Sequence, residues 1–145
     1  MDGDAWQQGM HDTFSALEPA GINVVVMRDS PHPGFNVPLC LARQAKNAWM
    51  GATCDYSREH GLDSVEYKLA RNAAANMKNI NFIDLSQRIC TSEKCSPTDG
   101  DSGIVLFRDS HHLTTEYVRH LMPELKIELA RVMQVEPQTV AAKTL

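Results

Sequence analysis

No stretch of this chain stays apolar over the length a membrane-spanning helix needs, and no run of lysines and arginines interrupts it. The first absence excludes a bilayer-crossing helix within these 145 residues. The second, with a formal net charge of -4, argues against a nucleic-acid-binding surface. Internal repeats and low-complexity tracts are missing as well. The amino terminus, Met1-Asp2-Gly3-Asp4, has neither the basic nor the apolar part of a secretory signal, which taken alone predicts a cytoplasmic chain. What is present is 43% hydrophobic and 22% charged residues, a composition that supports one globular domain with a core.

The cysteines oppose the cytoplasmic reading. Four occur, as Cys40 and Cys54 and as Cys90-x4-Cys95, each pair near enough in sequence to close a small loop. An even count in loop-like sequence suggests two disulfides, which persist in an oxidising compartment. Free thiols are the plain alternative, and a zinc site is disfavoured because neither pair has C-x-x-C spacing. A missing signal beside paired cysteines suggests a piece of something larger.

Trp6, Met10, Phe14 and Leu17 fall at helical spacing and predict an amphipathic helix over 5–18, ending near Pro19 and Gly21. Residues 22–27 form a β-branched, nearly all-apolar run, as in a strand covered on both faces of a parallel sheet. Residues 29–38, with Pro31, Pro33, Gly34 and Pro38, read as an irregular loop. Between 39 and 62 the pattern is ambiguous, although 42–50 suits a helix. Asp63-Ser64-Val65-Glu66 has the form of a capping box opening a helix over 64–78, with Val65, Leu69, Ala73 and Met77 on one face. Strands are expected at 80–85 and 104–107. Thr114 can cap a last helix, which Pro123 either kinks or splits. The order is that of an α/β layered domain over residues 1–133, with 134–145 as a tail. Three strands fall short of the usual sheet of about 5 to 6, and the missing ones are expected ahead of residue 1.

The motif R-D-S-x-H occurs twice after an apolar run, as Arg28-Asp29-Ser30-Pro31-His32 and as Arg108-Asp109-Ser110-His111-His112. In the second copy Asp109 and His112 follow a strand-like run and precede a capped helix. Ligands and catalytic groups collect at the carboxyl ends of such strands. D-x-x-H in a tight loop lets a carboxylate fix the imidazole tautomer and stabilise its charged form, the orienting part of a triad. The plain alternative is an aspartate that caps a turn beside an ordinary histidine.

From Trp6 to Leu125 the chain resembles the later part of the SGNH-hydrolase domain fused to bacterial membrane O-acyltransferases of the acyltransferase-three type. The residues that carry the resemblance are Trp6-x-x-Gly9, the segment from Val24 to Pro33, Val37-Pro38-Leu39-Cys40-Leu41 and Phe82-Ile83-Asp84-Leu85. Cys90-x4-Cys95 and the block from Phe107 to Thr114 complete them. The resemblance implies a three-layer, flavodoxin-like parallel sheet with flanking helices, incomplete at its amino-terminal side. It also implies both disulfides and an extracytoplasmic, periplasmic origin, with a membrane acyltransferase part upstream. It implies no cofactor and no metal. Carried over by position, His112 is the general base and Asp109 its orienting carboxylate. Ser110 and His111 are the variable positions between them, and His111 is the less favoured alternative base.

No part of the chain is matched to the family's Gly-Asp-Ser nucleophile block, or to its oxyanion-hole glycine and asparagine, and on that reading the block is absent. Ser30 has the right neighbours, but a nucleophile needs a sharp strand-to-helix turn. Pro31, Pro33 and Gly34 favour an extended loop instead, and Arg28 stands where the turn wants glycine. Ser15 and Ser64 lie in or at the start of helices, and Ser92, Ser96 and Ser102 in a turn-rich segment. The expectation is the carboxy-terminal part of a domain that transfers or hydrolyses O-acyl groups, acetyl above all, on cell-envelope glycans, inactive by itself. The alternatives are a non-catalytic remnant or binding module of the same fold and, further off, a small interaction domain stabilised by disulfides or metal.

Overall fold

The computed structural model describes residues 2–47, 51, 53–62 and 65–134. The leading helix α1, Gly3–Leu17, starts where the Asp2 carboxylate accepts from the free amides of Asp4 and Ala5. It passes through a 3₁₀ turn containing Pro19 and stops at Gly21, whose φ of 66° lies in the left-handed region. Strand β1, Val24–Met27, follows, and β3, Ile80–Ile83, lies parallel beside it with Val24 opposite Ile80 and Met27 opposite Ile83. Between them run α2 (Val37–Lys46), the short β2 (Tyr56–Ser57), α3 (Arg58–Leu62) and α4 (Val65–Ala73).

The arrangement is α/β, with a small parallel sheet among helices. Phe14 of α1, Ala73 of α4 and Ala74 just past it pack with Ile80, Val24, Val26 and Phe82 from the sheet. Among the described residues this apolar cluster is one of two. The second gathers Val37, Tyr56, Leu62, Ile89, Leu106, Phe107 and Tyr117 around the buried Cys90 and Cys95. Both disulfides form, Cys40–Cys54 and Cys90–Cys95, so the free-thiol reading falls. Strand β4, Lys94–Cys95, pairs antiparallel with β2 beside the second bridge.

The sequence expectations need four corrections. Residues 104–107 are not a strand: Val105 and Phe107 make only isolated bridges, to Thr98 and Leu113. The run is apolar because Leu106 and Phe107 are buried, not because a neighbouring strand pairs with it. Pro38 belongs to α2, where the first turn tolerates a residue without an amide proton, and Asn36 caps that helix by accepting from Leu39 N. The fourth helix ends at Ala73, short of Lys78, and Asn76 then takes a φ of 72°. The last helix α5, Thr115–Met133, runs unbroken through Pro123. Asp63 and Ser64 of the expected capping box, residues 48–50 of the tentative helix and tail residues 135–145 lie outside the described residues.

Arg28 stands at the carboxyl end of β1 and joins three elements. Its backbone amide donates to Ile83 O (2.9 Å), and its guanidinium donates to Asp84 Oδ2 (3.0 Å) and to Leu62 O (2.5 Å). The same group lies over the Tyr67 ring at 5.0 Å. A residue read in the sequence as a misfit for a nucleophile turn is thus a structural clamp. It fixes where the loop after β1 begins.

Candidate active site

Two loops meet beyond the carboxyl end of β1. The first, leading from Arg28 to α2, is packed rather than loose, since Pro31 and Pro33 are fully buried and His32 N donates to Gly61 O (2.8 Å). The second is a tight turn closed by the Phe107–Leu113 bridge and by the amide of Arg108 donating to His112 O (2.9 Å). Thr114 ends the turn by capping α5: its hydroxyl accepts from Tyr117 N and donates to Val105 O. Cross-links hold the loops together, with Val37 N donating to Asp109 O (3.2 Å) and Ser30 Oγ to His111 O (3.4 Å).

Inside the turn Asp109 has two jobs. Its Oδ1 accepts the backbone amides of His111 (2.9 Å) and His112 (2.8 Å), which shapes the turn. Its Oδ2 lies 2.7 Å from His112 Nδ1, within hydrogen-bond range. The amide of His112, then that of His111, and then the His112 ring hold the Asp109 carboxyl well below the usual carboxylate range. An ionised Asp109 accepts only, so the shared proton resides on Nδ1, and the neutral form of the ring then has its lone pair on Nε2. The His112 side chain is 52% exposed, so that lone pair is not entombed.

His111 is not the ring that Asp109 orients. Its Nδ1 is 3.8 Å from Asp109 Oδ1 and 3.0 Å from Ser110 Oγ, which makes Ser110 a neighbour of His111 rather than a partner of His112. An open cleft of about 620 Å³ is lined by Asp29, Ser30, His32, Arg108, His111 and His112, with Leu113 and Val118 at its side. Both copies of the repeated motif therefore face one cavity, a convergence that sequence spacing does not reveal. Ser30 reaches it as a rim residue: its amide donates to Asp29 Oδ1 (2.7 Å), and its hydroxyl contacts Asp29 and the His111 carbonyl, not His112. An apolar groove of about 330 Å³, including Met27, Leu85, Ile89, Leu121, Met122 and Leu125, adjoins the cleft.

One expectation needs correcting as a matter of letters. The tripeptide Gly-Asp-Ser does occur, as Gly100-Asp101-Ser102. Its backbone is unsuited to the task. Asp99 N donates to Ile104 O and Gly103 N to Asp99 O, which folds residues 99–104 into a closed loop, not a strand leading into a helix. The Ser102 hydroxyl donates straight to Asp99 Oδ2, and Ser102 does not line the cleft of His112. A hydroxyl held by a carboxylate with no imidazole between them lacks its base. Ser15, Ser92 and Ser96 do not line the cleft either, and Ser64 is outside the described residues.

The Asp109 geometry predicts an acid response. The folded-state carboxyl ionises below its unfolded value of about 3.9. The contribution of its ionised form is therefore fully present above that value and is lost only as pH falls through the lower folded value. In a pH titration of its side-chain carboxyl ¹³C shift, Asp109 is expected to protonate below the unfolded value of about 3.9. Protonation at that value or above it would show that the turn does not hold the carboxylate.

Among the described residues no helix is long and apolar enough to cross a membrane. No curated protein and no solved structure matches the chain. The profile of one family, described as the SGNH domain (fused to AT3 domains), matches residues 2–126 and thus takes in both loops and the Asp109–His112 pair. Parallel strands with helices, a D-x-x-H turn beyond their carboxyl ends and this match over most of the sequence converge: the chain belongs to the family of SGNH domains fused to AT3 domains.

Proposed function

We propose that this chain is the carboxy-terminal part of an SGNH acyl-ester hydrolase or O-acyltransferase domain acting on cell-envelope glycans, with Asp109 and His112 as its acid–base pair. The observation that carries the reading is the 2.7 Å contact between His112 Nδ1 and Asp109 Oδ2 beside an open cleft. With Nδ1–H held by the carboxylate, Nε2 can take the proton of an attacking serine and return it to the leaving alcohol. The serine carries the acyl group until water or a glycan hydroxyl accepts it. Among the described residues no serine hydroxyl bonds to His112; on the proposed reading the nucleophile comes from a Gly-Asp-Ser segment outside this stretch, and the chain alone is inactive. That segment also brings the strands that complete a three-layer sheet. The two disulfides and the fusion of the family to AT3 domains support an extracytoplasmic site beside a membrane acyltransferase part.

The purified chain is expected to hydrolyse p-nitrophenyl acetate no faster than its His112→Ala variant. When the Gly-Asp-Ser part of a related domain is supplied, turnover should appear and His112→Ala should remove about 10³-fold or more of it. Asp109→Asn should act nearly as strongly, because it permits the wrong tautomer. Turnover by the chain alone that His112→Ala abolishes would overturn the inactivity, and Ser30→Ala would then be the next variant. A complemented enzyme indifferent to His112 would overturn the assigned base and favour a binding module of the same fold.

A further inference from the structure

The cleft holds more imidazoles than an acid–base pair uses. His111 and His112 lie with ring centroids 3.9 Å apart and planes tilted by 40°. His32, from the other loop, faces His111 at 5.0 Å between centroids. Ligand atoms of Asp109, His111 and His112 all lie within 4.8 Å of one another. Donors to one Zn²⁺ stand about 2.0–2.2 Å from it, hence up to about 4 Å apart, so these exposed side chains need to close by less than about 1 Å.

We propose that Asp109, His111 and His112 bind one divalent transition-metal ion, with Zn²⁺ as the type ion. Two neutral imidazoles and an ionised carboxylate are donors suited to such a cation. The carboxylate that the turn holds ionised is ready to bind. No cysteine competes, since all four are tied in disulfides. His11, His32, His60 and His120 belong to no such group among the described residues. Among the described residues Arg108, whose Nε lies 3.8 Å from Asp109 Oδ2, is the arginine or lysine that faces the carboxylate, and its 66% exposed side chain has solvent to turn into when the ion binds.

Binding has a consequence for His112 that rests on the acid–base reading above. The ion takes Nδ1, the proton there moves to Nε2 as the ring changes tautomer, and no net proton is released by that step. An Nε2 that carries a proton cannot accept one from a hydroxyl. The ion therefore holds the pair in a silent state.

Isothermal titration of the tag-free, disulfide-intact chain with zinc chloride tests the site without any need for activity. One equivalent is expected to bind, about tenfold or more weaker in His111→Ala and unchanged in His11→Ala. Far-UV circular dichroism shows each variant folded. Long-range ¹H–¹⁵N ring spectra should show His112 passing from the Nδ1–H to the Nε2–H form as zinc is added. Absence of saturable binding, an affinity that His111→Ala leaves unchanged, or a His112 tautomer that zinc does not move would each overturn the proposal. The hydrolysis assay reports separately on the catalytic reading, so the two can fail independently.

Discussion

Phe107→Ala is expected to cost about 3–5 kcal/mol of folding stability, the range for a fully buried phenylalanine. The ring is 0% exposed and sits in the second cluster with Tyr117, Leu106 and Val37. Its backbone pairs with Leu113 and is followed directly by Arg108 and Asp109, so the cavity opens under the turn that carries the site. A domain of this size has about 5–15 kcal/mol in total, and the loss translates into roughly 10–15 °C of melting temperature. Val105→Ala, two positions away but 37% exposed, should cost about 1 kcal/mol or less. Urea unfolding of both variants decides the matter. Near-equal midpoints would show that the second cluster is not a core and that the turn does not depend on it.

Loss of the disulfides is the second large effect. Chain-entropy arguments give about 3 kcal/mol for Cys40–Cys54, which closes 14 positions, and about 2 for Cys90–Cys95, which closes 5. Removing both as Cys→Ala pairs costs about 5 kcal/mol, a third or more of the stability of an ordinary domain. The quadruple variant should be largely unfolded at 37 °C, while each double variant remains folded at 25 °C. Cys40 is only partly buried, whereas Cys90 is 3% and Cys95 0% exposed. Mild reductant should therefore open Cys40–Cys54 first, as mass spectrometry after alkylation will show. Simultaneous opening would mean that the second bridge is reached by global unfolding, not protected by its burial.

The features legible in the sequence were those whose physics is local. Asp109 and His112 are three positions apart, and the turn that joins them is built from its own amides. Thr114 announces α5 by its side chain, and the valines from Val24 to Val26 announce β1 by their shape. An apolar run reports burial without saying what buries it, which is why 104–107 read as a strand yet pairs with none. Pro38 read as loop because its helix is specified by Asn36 two residues earlier. The cleft itself was invisible. His32 and His111 meet because buried prolines steer one loop against another, and no spacing rule encodes that meeting. Gly100-Asp101-Ser102 shows the converse: the right letters in a backbone that disarms them.

The clamp at Arg28 also sets an order of events in folding. Arg28 and Asp84 are 56 positions apart, so drawing β1 and β3 together closes a long loop. Neither disulfide joins the two ends of that interval, and Cys40–Cys54, which lies inside it, bypasses only 14 of the 56 positions. The turn holding Asp109 and His112 closes over three positions and needs almost no such search. Non-local parallel pairing is the slow step in chains of this kind. The turn holding Asp109 and His112 is therefore expected to close before β1 and β3 pair, and pulse-labelled exchange of the His112 and Arg28 amides checks the order.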